Sequence, residues 1–215
     1  VLEQASLTSS RPNVVDSRPS DWSPLWVPPP RFGTRRRPER DTYGTAAGIL
    51  ARTKLGRPLL PWQQLVLDVA LEIDPATGRL AYSVIIITVP RQSGKTTEVL
   101  FPVYVLRCTF WPERQACVYT AQKRDSARKK FVKEFVPMMR QAPGFAEGRD
   151  FEVRLANGSE EIAFANGSYL GISATQSDSG HGDTLDVPGL DEIFAHDDPE
   201  VDQGFTPPMA TRPEP

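Results

Sequence analysis

The residues best suited to chemistry stand together in the segment Val89–Thr97, VPRQSGKTT. This segment follows the apolar run Tyr82–Val89 (YSVIIITV) and precedes a stretch with helical character. A tight turn between a strand and a helix presents backbone N–H groups and a helix N-terminus, which together attract a polyphosphate. In such a loop Lys95 would reach the β- and γ-phosphates, and Thr96 would hold Mg²⁺. The segment therefore predicts a nucleotide site with these contacts: Arg91, Gln92, Ser93, Gly94, Lys95, Thr96 and Thr97.

The loop departs from the full phosphate-loop pattern at Val89, where that pattern has a glycine five residues before Gly94. Pro90 fixes one backbone φ angle, and Arg91 adds a guanidinium beside the expected phosphates. Two roles for Arg91 stay open: a charge clamp on the γ-phosphoryl transition state, or a structural ion pair beneath the loop. The competing interpretation of the whole segment is a solvated lysine at an ordinary helix start.

A second chemically capable group lies in Leu185–Glu192, LDVPGLDE. Nucleotide hydrolysis needs one carboxylate to hold Mg²⁺ and a second to orient or deprotonate the attacking water. Asp191, at the end of a predicted strand, is the expected metal carboxylate, and Glu192 is the expected general base. Their adjacency indicates the ASCE-type branch of phosphate-loop ATPases. Pro188 and Gly189 weaken the strand prediction, and an acidic surface turn is the alternative.

The elements that must position these groups alternate between strands and helices. After the strand that ends at Val89, the pattern predicts a helix over Val99–Leu106, a buried strand over Gln115–Ala121 and an amphipathic helix over Ser126–Met139. This alternation predicts an α/β fold with a mostly parallel sheet flanked by helices. In such a sheet the ligand binds at the carboxyl ends of the strands.

Two Asn-Gly pairs interrupt this alternation, at residues 157–158 and 166–167. They separate three short apolar segments, Phe151–Leu155, Glu161–Phe164 and Tyr169–Ile172. Asn-Gly is typical of tight hairpin turns, because both central residues of such a turn need a positive φ. We therefore expect an antiparallel hairpin insertion of three strands.

The first 40 residues differ in character from the rest of the chain. They are rich in Pro, Ser and Arg and have neither helical nor strand periodicity, so they predict an extended arm over 1–40. Residues 41–215 predict one domain, which opens with a helix from Asp41 to near Gly56. A second helix is expected from Pro61, with its apolar face through Leu65, Val66 and Val69.

Composition excludes several classes of protein. The chain has 215 residues, of which 39% are hydrophobic, and its longest apolar run of about eight residues is too short to span a membrane. Cys108 and Cys117 predict buried thiols in a reducing compartment. Two isolated histidines, His181 and His196, lack the neighbouring ligands that zinc requires.

The formal net charge of −2 does not by itself predict contact with nucleic acid, but the charge is unevenly distributed. Residues 31–40 and 123–133 are basic, and either region could contact a polyanion. A solvated helix face is the alternative for the second region. Its candidate DNA-binding residues are Lys123, Arg124, Arg128, Lys129, Lys130 and Lys133.

Together these segments resemble the large terminase subunit of tailed bacteriophages, the ATP-driven motor that packages DNA into procapsids. The likeness runs from about Leu60 to the end of the chain. Arg-Gln-x-Gly-Lys-Thr without a leading glycine is similar to the family's variant phosphate loop, and LDEIFAH to its acidic strand end. Tyr119–Phe131 (YTAQKRDSARKKF) and Met209–Pro213 (MATRP) resemble the stretch after the second strand and the coupling motif.

The resemblance implies further roles and ligands. Thr211 would sense the γ-phosphate and couple hydrolysis to movement, and Gln63 would read the adenine edge with its amide. The cofactors would be ATP and Mg²⁺. The implied partners are double-stranded DNA, a small terminase subunit, a portal and further copies of this chain in a ring. The implied location is the cytoplasm of the bacterial host of a phage or prophage, with no membrane contact.

The family's large subunit also carries an RNase H-like nuclease domain, for which no room remains before Pro215. We therefore expect no nuclease activity, an ATPase domain that is incomplete at its C-terminus, and slow or absent hydrolysis without partners. Two other interpretations remain open. One is a helicase-like ATPase, which shares both nucleotide motifs, and the other is a catalytically weak or inactive prophage remnant that binds nucleotide.

Overall fold

The computed structural model describes residues 30, 32–121, 123–156, 158–173 and 185–191. Within these ranges the chain forms five α-helices and five strands: three helices precede the first strand, two helices follow it, and the other four strands come last. The helices are α1 (Gly44–Thr53), α2 (Pro61–Ala70), α3 (Phe101–Phe110), α4 (Arg124–Lys130) and α5 (Val136–Arg140). Two π-helical turns extend them: Lys95–Leu100 leads into α3, and Phe131–Phe135 joins α4 to α5. The strands are β1 (Ala116–Thr120), β2 (Phe151–Arg154), β3 (Glu161–Phe164), β4 (Tyr169–Ser173) and β5 (Val187–Leu190).

The five described strands form one sheet in the order β2-β3-β4-β1-β5. β1 is parallel to β4, with Cys117 opposite Leu170, and parallel to β5, with Cys117 opposite Val187. The pairs β2-β3 and β3-β4 are antiparallel. The expectation of a mostly parallel sheet is therefore corrected to a mixed sheet. All five residues of β1 are buried, as expected for a strand with neighbours on both edges.

The three-stranded hairpin region is confirmed, and it is continuous with the parallel part of the sheet. Its last strand, β4, pairs with β3 on one edge and with β1 on the other. Gly158 and Gly167 have positive φ angles of 96° and 85°, whereas Asn166 does not have a positive φ. The Gly167 N–H donates to the Phe164 carbonyl at 2.9 Å, so this turn is longer than the expected two-residue Asn-Gly turn. The hairpins thus extend the main sheet at one edge, beside the strand that carries Tyr119.

The predicted phosphate-loop strand over Tyr82–Val89 is not formed. Residues 84–90 have no regular secondary structure, and the side chains of Val84 and Ile86 are 71% and 76% exposed. A run of β-branched residues favours a strand only where a neighbouring strand supplies hydrogen bonds and covers the side chains. Among the described residues no strand pairs with this segment, so its composition alone does not produce one.

The core lies between the helices and the sheet and is rich in aromatic rings. Phe101, Tyr104, Phe131 and Phe135 are each fully buried. The thiols of Cys108 and Cys117 are buried and free, with their sulfurs 3.7 Å apart, as the sequence predicts. Burial raises the pKa of the Cys108 thiol well above its ordinary value.

The second helix begins at Pro61 as predicted, but its buried face differs from the prediction. Gln63, Leu67 and Ala70 are buried, whereas Leu65 is 37% exposed. The prediction counted only apolar residues, and Gln63 occupies an interior position because its amide has partners there. Among the described residues, no helix combines the length and the apolar composition needed to cross a membrane.

Part of the predicted N-terminal arm is fixed to the body of the chain. The compact unit begins at Thr34, and within it the fully buried carboxylate of Glu72 accepts hydrogen bonds from four groups. These are the Arg36 guanidinium at 3.0 Å, the Arg37 backbone N–H at 2.7 Å, the Arg40 guanidinium at 3.2 Å and the Tyr82 hydroxyl at 3.2 Å. Arg36 and Arg40 therefore neutralise a buried acid. Residues 1–29 and 31 lie outside the described residues.

Candidate functional site

The predicted phosphate loop is a tight turn that begins at Pro90. Gln92 has a φ of 61° and Gly94 a φ of 86°, so the backbone enters the left-handed region twice within three residues. The Ser93 hydroxyl donates to the Pro90 carbonyl at 2.8 Å. Gly94 adopts its positive φ at little cost in free energy, because glycine has no Cβ. Gln92, in contrast, adopts a backbone conformation that non-glycine residues rarely occupy. The turn thus forms although Val89 occupies the position at which the full phosphate-loop pattern has a glycine.

The loop and the acidic strand end converge. Lys95 donates from Nζ to Asp191 Oδ1 at 2.6 Å, and the Thr96 hydroxyl donates to Asp191 Oδ2 at 2.9 Å. Asp191 follows β5, and its backbone N–H donates to the Thr120 carbonyl of β1 at 2.9 Å. The sequence assigned these three side chains to one site, and the structure brings them into direct contact.

Asp191 sits in a strongly polar environment. Burial raises the pKa of its carboxyl, but hydrogen bonds from Lys95 and Thr96 and the charge of Lys95 outweigh this effect. The Tyr119 hydroxyl, which donates to Oδ2 at 3.0 Å, acts in the same direction. The pKa of Asp191 is therefore lowered, and the carboxylate is ionised at neutral pH.

Residues Gln63, Asp191 and 91–97 all line one cleft of about 1180 Å³. Its wall also includes residues that the sequence did not predict, among them Arg57, Pro58, Leu60 and Glu134. Arg57 pairs with Glu98 through two guanidinium nitrogens, which raises the pKa of Arg57. The segment before α2 thus forms the wall beside the phosphate loop, and Arg57 is a charged group on that wall.

Gln63, the expected adenine reader, has both ends of its amide in use. Its Oε1 accepts from the Leu60 backbone N–H at 2.8 Å, and its Nε2 donates to the Ser93 carbonyl at 3.2 Å. Its side chain is 2% exposed. Nε2 also lies 2.9 Å from where a Cβ on Gly94 would stand, so glycine is needed there. In this state Gln63 links the start of α2 to the phosphate loop.

Arg91, at the start of the loop, is exposed and lines the cleft. Among the described residues no ion pair or hydrogen bond of its side chain is found, so the ion pair beneath the loop is not formed there. The role of a charge clamp remains a proposal.

The Pro188-Gly189 pair, which weakened the strand prediction, fits β5 for specific reasons. β5 is the last strand at its edge of the described sheet, where proline's missing N–H is tolerated. A Cβ on Gly189 would lie 1.9 Å from the Tyr104 hydroxyl oxygen. The strand therefore needs glycine where α3 packs closely beneath it.

The candidate DNA-binding residues divide into three groups. Arg124 and Arg128 both pair with the fully buried Glu160, at 2.5 and 2.7 Å. Lys130 pairs with Glu134 at 3.3 Å and lines the cleft. Lys123, Lys129 and Lys133 have no ion pair within the described part of the chain. The two arginines thus hold a structural carboxylate, and the three lysines retain uncompensated charge.

The donor set around Asp191 suits a magnesium ion carried by a nucleotide. A hydroxyl and a carboxylate are hard oxygen ligands, and Mg²⁺ is usually held by one or two such groups plus substrate phosphates. Among the described residues there is no cluster of three or more histidine, cysteine or acidic side chains that could hold a metal by itself. Glu192, Thr211, His181 and His196 lie outside the described residues.

Tyr119 is a further residue of the site that the sequence did not predict, and it contacts Asp191 directly. It lies near the carboxyl end of β1, the strand that neighbours β5 in parallel. The carboxyl ends of adjacent parallel strands lie at the same edge of the sheet, so a polar residue near the end of β1 could have been predicted to lie close to Asp191. The sequence predicts Tyr119 only as part of the buried strand Gln115–Ala121 and of the family-like segment Tyr119–Phe131.

The fold is similar to that in the crystal structure of the HK97 bacteriophage large terminase, with a TM-score of 0.63 and 18% sequence identity. The match covers 81% of this chain and 36% of the terminase chain. At this identity the likeness concerns the fold, and the chain has a terminase-like α/β fold. No protein-family model and no curated protein matches the sequence.

Proposed function

We propose that this chain is the ATPase domain of a DNA-packaging motor of the large-terminase kind, which couples ATP hydrolysis to translocation of double-stranded DNA into a procapsid. The observation that carries the proposal is the convergence of Lys95 and Thr96 on Asp191. A lysine and a hydroxyl from a tight loop, facing a carboxylate at a strand end, are the side chains that bind a Mg²⁺·triphosphate. The terminase-like fold supports the choice of motor.

The residues of the cleft have separate tasks in nucleotide binding. Lys95 leaves Asp191 and contacts the β- and γ-phosphates, which replace the carboxylate as its counter-charge. The Thr96 hydroxyl and the Asp191 carboxylate are the groups that would hold Mg²⁺. When bound, the ion would supply positive charge against the negative charge that develops during phosphoryl transfer. The positive φ angles of Gln92 and Gly94 curl the loop into a concave turn that suits phosphates.

Three further roles complete the proposed reaction. Glu192 is the general base that takes a proton from the attacking water, and Arg91 stabilises charge on the γ-phosphoryl group. Thr211 senses the γ-phosphate and couples hydrolysis to movement. The side chain of Arg91 is accessible to the cleft, which supports its role. For Glu192 the support is its position directly after Asp191 in the sequence.

The proposed DNA grip uses charge without reading bases. Lys123, Lys129 and Lys133 carry charge that no described acid compensates, so they can displace counterions from the phosphate backbone. Arg124 and Arg128 pair with Glu160 and thereby hold α4, the helix that carries Lys129, against the rest of the chain. A small terminase subunit, a portal and a ring of identical chains are the partners that such a motor requires.

A nucleotide-binding protein without turnover is the second candidate. Lys95 and Asp191 form a close ion pair in which the lysine side chain is 33% exposed and the carboxylate 12% exposed. A nucleotide must break this pair to bind, which reduces its affinity by the free energy of the pair. Weak nucleotide binding and slow or absent hydrolysis are consistent with the ion pair between Lys95 and Asp191.

The test is a titration of a fluorescent ATP analogue in the presence of Mg²⁺, followed by a phosphate-release assay with and without double-stranded DNA. We expect saturable binding that Lys95→Ala weakens at least tenfold, because the lysine supplies the main phosphate contact. The matched control is Lys129→Ala, which removes a lysine outside the loop and should leave nucleotide affinity unchanged.

The two assays separate the candidate functions. DNA-stimulated phosphate release that is lost in Lys95→Ala supports the motor ATPase. Binding with no release, with or without DNA, supports the non-catalytic alternative. A wild-type chain that binds no ATP analogue, or one whose binding is unaffected by Lys95→Ala, would overturn the proposed site.

A further inference from the structure

We propose that Tyr119 is a positioning residue for Asp191, whose hydroxyl fixes the carboxylate and thereby sets the affinity of the site for Mg²⁺. The inference rests on the proposed function, because it concerns the Mg²⁺ of a bound nucleotide. The Tyr119 hydroxyl donates to Asp191 Oδ2 at 3.0 Å. Tyr119 contacts no phosphate in the proposed scheme and acts through Asp191 alone.

Lys95 and Thr96, which also donate to Asp191, have tasks of their own in the proposed site. Lys95 holds Oδ1 and must move to the phosphates, and the Thr96 hydroxyl holds Oδ2 and is itself a metal ligand in the proposed site. Both contacts therefore change when a Mg²⁺·nucleotide binds. The Tyr119 hydroxyl has no such second task, so its hydrogen bond can persist and keep the carboxylate in one orientation while its neighbours rearrange.

Tyr119 is rigidly held. Its side chain is 1% exposed, and its ring meets the Phe135 ring edge to face, with centroids 5.1 Å apart at 70°. β1 has a strand on each side, and Tyr119 stands opposite Ile172 on one edge and Gly189 on the other. A phenol fixed by a central strand and an aromatic neighbour cannot follow the carboxylate if it rotates. It therefore determines the direction in which Oδ1 faces the cleft.

Tyr119 also joins the metal carboxylate to the α4–α5 helical run. Phe135, against which its ring packs, closes the π-helical turn that also contains Glu134, a residue of the cleft wall. Groups hydrogen-bonded to a metal ligand commonly alter metal affinity 10- to 100-fold when removed. We expect the lower end of that range, about tenfold, because the backbone hydrogen bond from Asp191 to the Thr120 carbonyl still holds the residue at the end of β5 when the hydroxyl is lost.

The experiment compares Tyr119→Phe with Tyr104→Phe. Tyr104 is a second fully buried tyrosine, but its hydroxyl donates to the Val118 carbonyl at 3.1 Å and not to a carboxylate. Affinity for a fluorescent ATP analogue is measured over a series of Mg²⁺ concentrations and in EDTA, with a thermal melt to show that each variant is folded. Direct Mn²⁺ binding in the presence of nucleotide is followed by electron paramagnetic resonance.

The Mg²⁺ midpoint is the Mg²⁺ concentration at which half of the metal-dependent gain in nucleotide affinity is reached. We expect Tyr119→Phe to raise this midpoint about tenfold and to leave the nucleotide affinity in EDTA within about twofold of wild type. Tyr104→Phe should leave the Mg²⁺ midpoint unchanged. Replacement of Tyr119 by 4-aminophenylalanine, which keeps an N–H donor at the same place, should restore most of the wild-type midpoint. This rescue would not occur if the hydroxyl contributed only to packing.

The outcomes distinguish this inference from the proposed function. If the wild type binds a Mg²⁺·nucleotide through Lys95 but Tyr119→Phe leaves the midpoint unchanged, the role of Tyr119 is wrong and the nucleotide site stands. Equal shifts in Tyr119→Phe and Tyr104→Phe, or no rescue by the amine, would also overturn it. If the wild type shows no Mg²⁺-dependent binding at all, both proposals fail.

Discussion

Lys95 and Asp191 lie 96 positions apart in the sequence, and Lys95 Nζ is 2.6 Å from Asp191 Oδ1. This ion pair closes the phosphate loop onto the end of β5. In the proposed site, a lysine engaged in this way cannot contact a phosphate fully, so we expect the nucleotide and the carboxylate to compete for it. Mg²⁺ would relieve this competition, because it would give the carboxylate a new partner when the lysine leaves.

This competition predicts that Asp191→Asn changes ATP affinity differently in the absence and in the presence of Mg²⁺. In EDTA we expect ATP to bind at least as tightly as to wild type, because Lys95 is no longer held by a carboxylate. With Mg²⁺ we expect the metal-dependent gain in affinity to fall at least tenfold. Isothermal titration calorimetry in EDTA and in Mg²⁺ measures both. Asp125→Asn on α4 is the control, and weaker ATP binding by Asp191→Asn in EDTA would contradict the competition.

Substitution of Gln63 tests whether its amide contacts the adenine base or stabilises the phosphate loop. Its amide bonds Leu60 and Ser93, so Gln63→Ala should loosen the loop and weaken ATP and GTP by the same factor, about three- to tenfold. Competition binding with the two nucleotides measures the factors. Gln64→Ala is a matched control, because the amide of Gln64 bonds Gly44 and Asp68 instead. A loss confined to ATP would show that Gln63 reads adenine, as the resemblance implied.

Gly189 should be intolerant of any side chain. A Cβ there would stand 1.9 Å from the Tyr104 hydroxyl oxygen and 3.0 Å from Leu100 Cδ2, so Gly189→Ala should cost about 1–3 kcal/mol of unfolding free energy. Urea denaturation measures the loss. In Gly171→Ala, on β4, the nearest atom would be 3.5 Å away, and a much smaller effect is expected. Tyr104→Phe should partly restore the stability of Gly189→Ala, and an additive double variant would contradict the clash.

Features encoded in consecutive residues could be predicted from the sequence, whereas features set by distant partners could not. The turn at Gly94 and the hairpin turn at Gly167 were recognised because each needs particular residues at fixed spacing. The strand over Tyr82–Val89 failed because a strand also needs a neighbour, which local composition does not supply. The contacts of Tyr119 and Gly189 could not be predicted from the sequence for the same reason, since they depend on partners across the sheet and on α3.

The proposed DNA grip predicts that lysines and arginines of the same helical region behave differently. Lys129→Glu and Lys133→Glu should weaken binding of double-stranded DNA and lower the slope of log K against log salt by about one per lost phosphate contact. Fluorescence anisotropy at several salt concentrations measures this slope. Arg128→Ala should mainly lower stability, because Arg128 pairs with buried Glu160. An unchanged slope in both lysine variants would favour a solvated helix face.

Glu160 should make stability depend on pH in the acid range. Burial raises the pKa of this carboxyl, but hydrogen bonds from backbone N–H groups and from Arg128, with the charge of Arg124, bring it below its ordinary value. The unfolded chain then binds more protons than the folded chain in acid. The stabilisation is therefore complete above about pH 5 and is lost as the pH falls through the lowered pKa.

Glu160→Gln should consequently be less stable than wild type at pH 7, by about 1–3 kcal/mol, and the difference should shrink toward pH 3. Urea denaturation at a series of pH values measures this convergence. Glu161→Gln is the control, because the neighbouring carboxylate is partly exposed and pairs with exposed Arg154. A stability difference between Glu160→Gln and wild type that stays constant from pH 7 to pH 3 would show that the paired charge of Glu160 does not stabilise the fold.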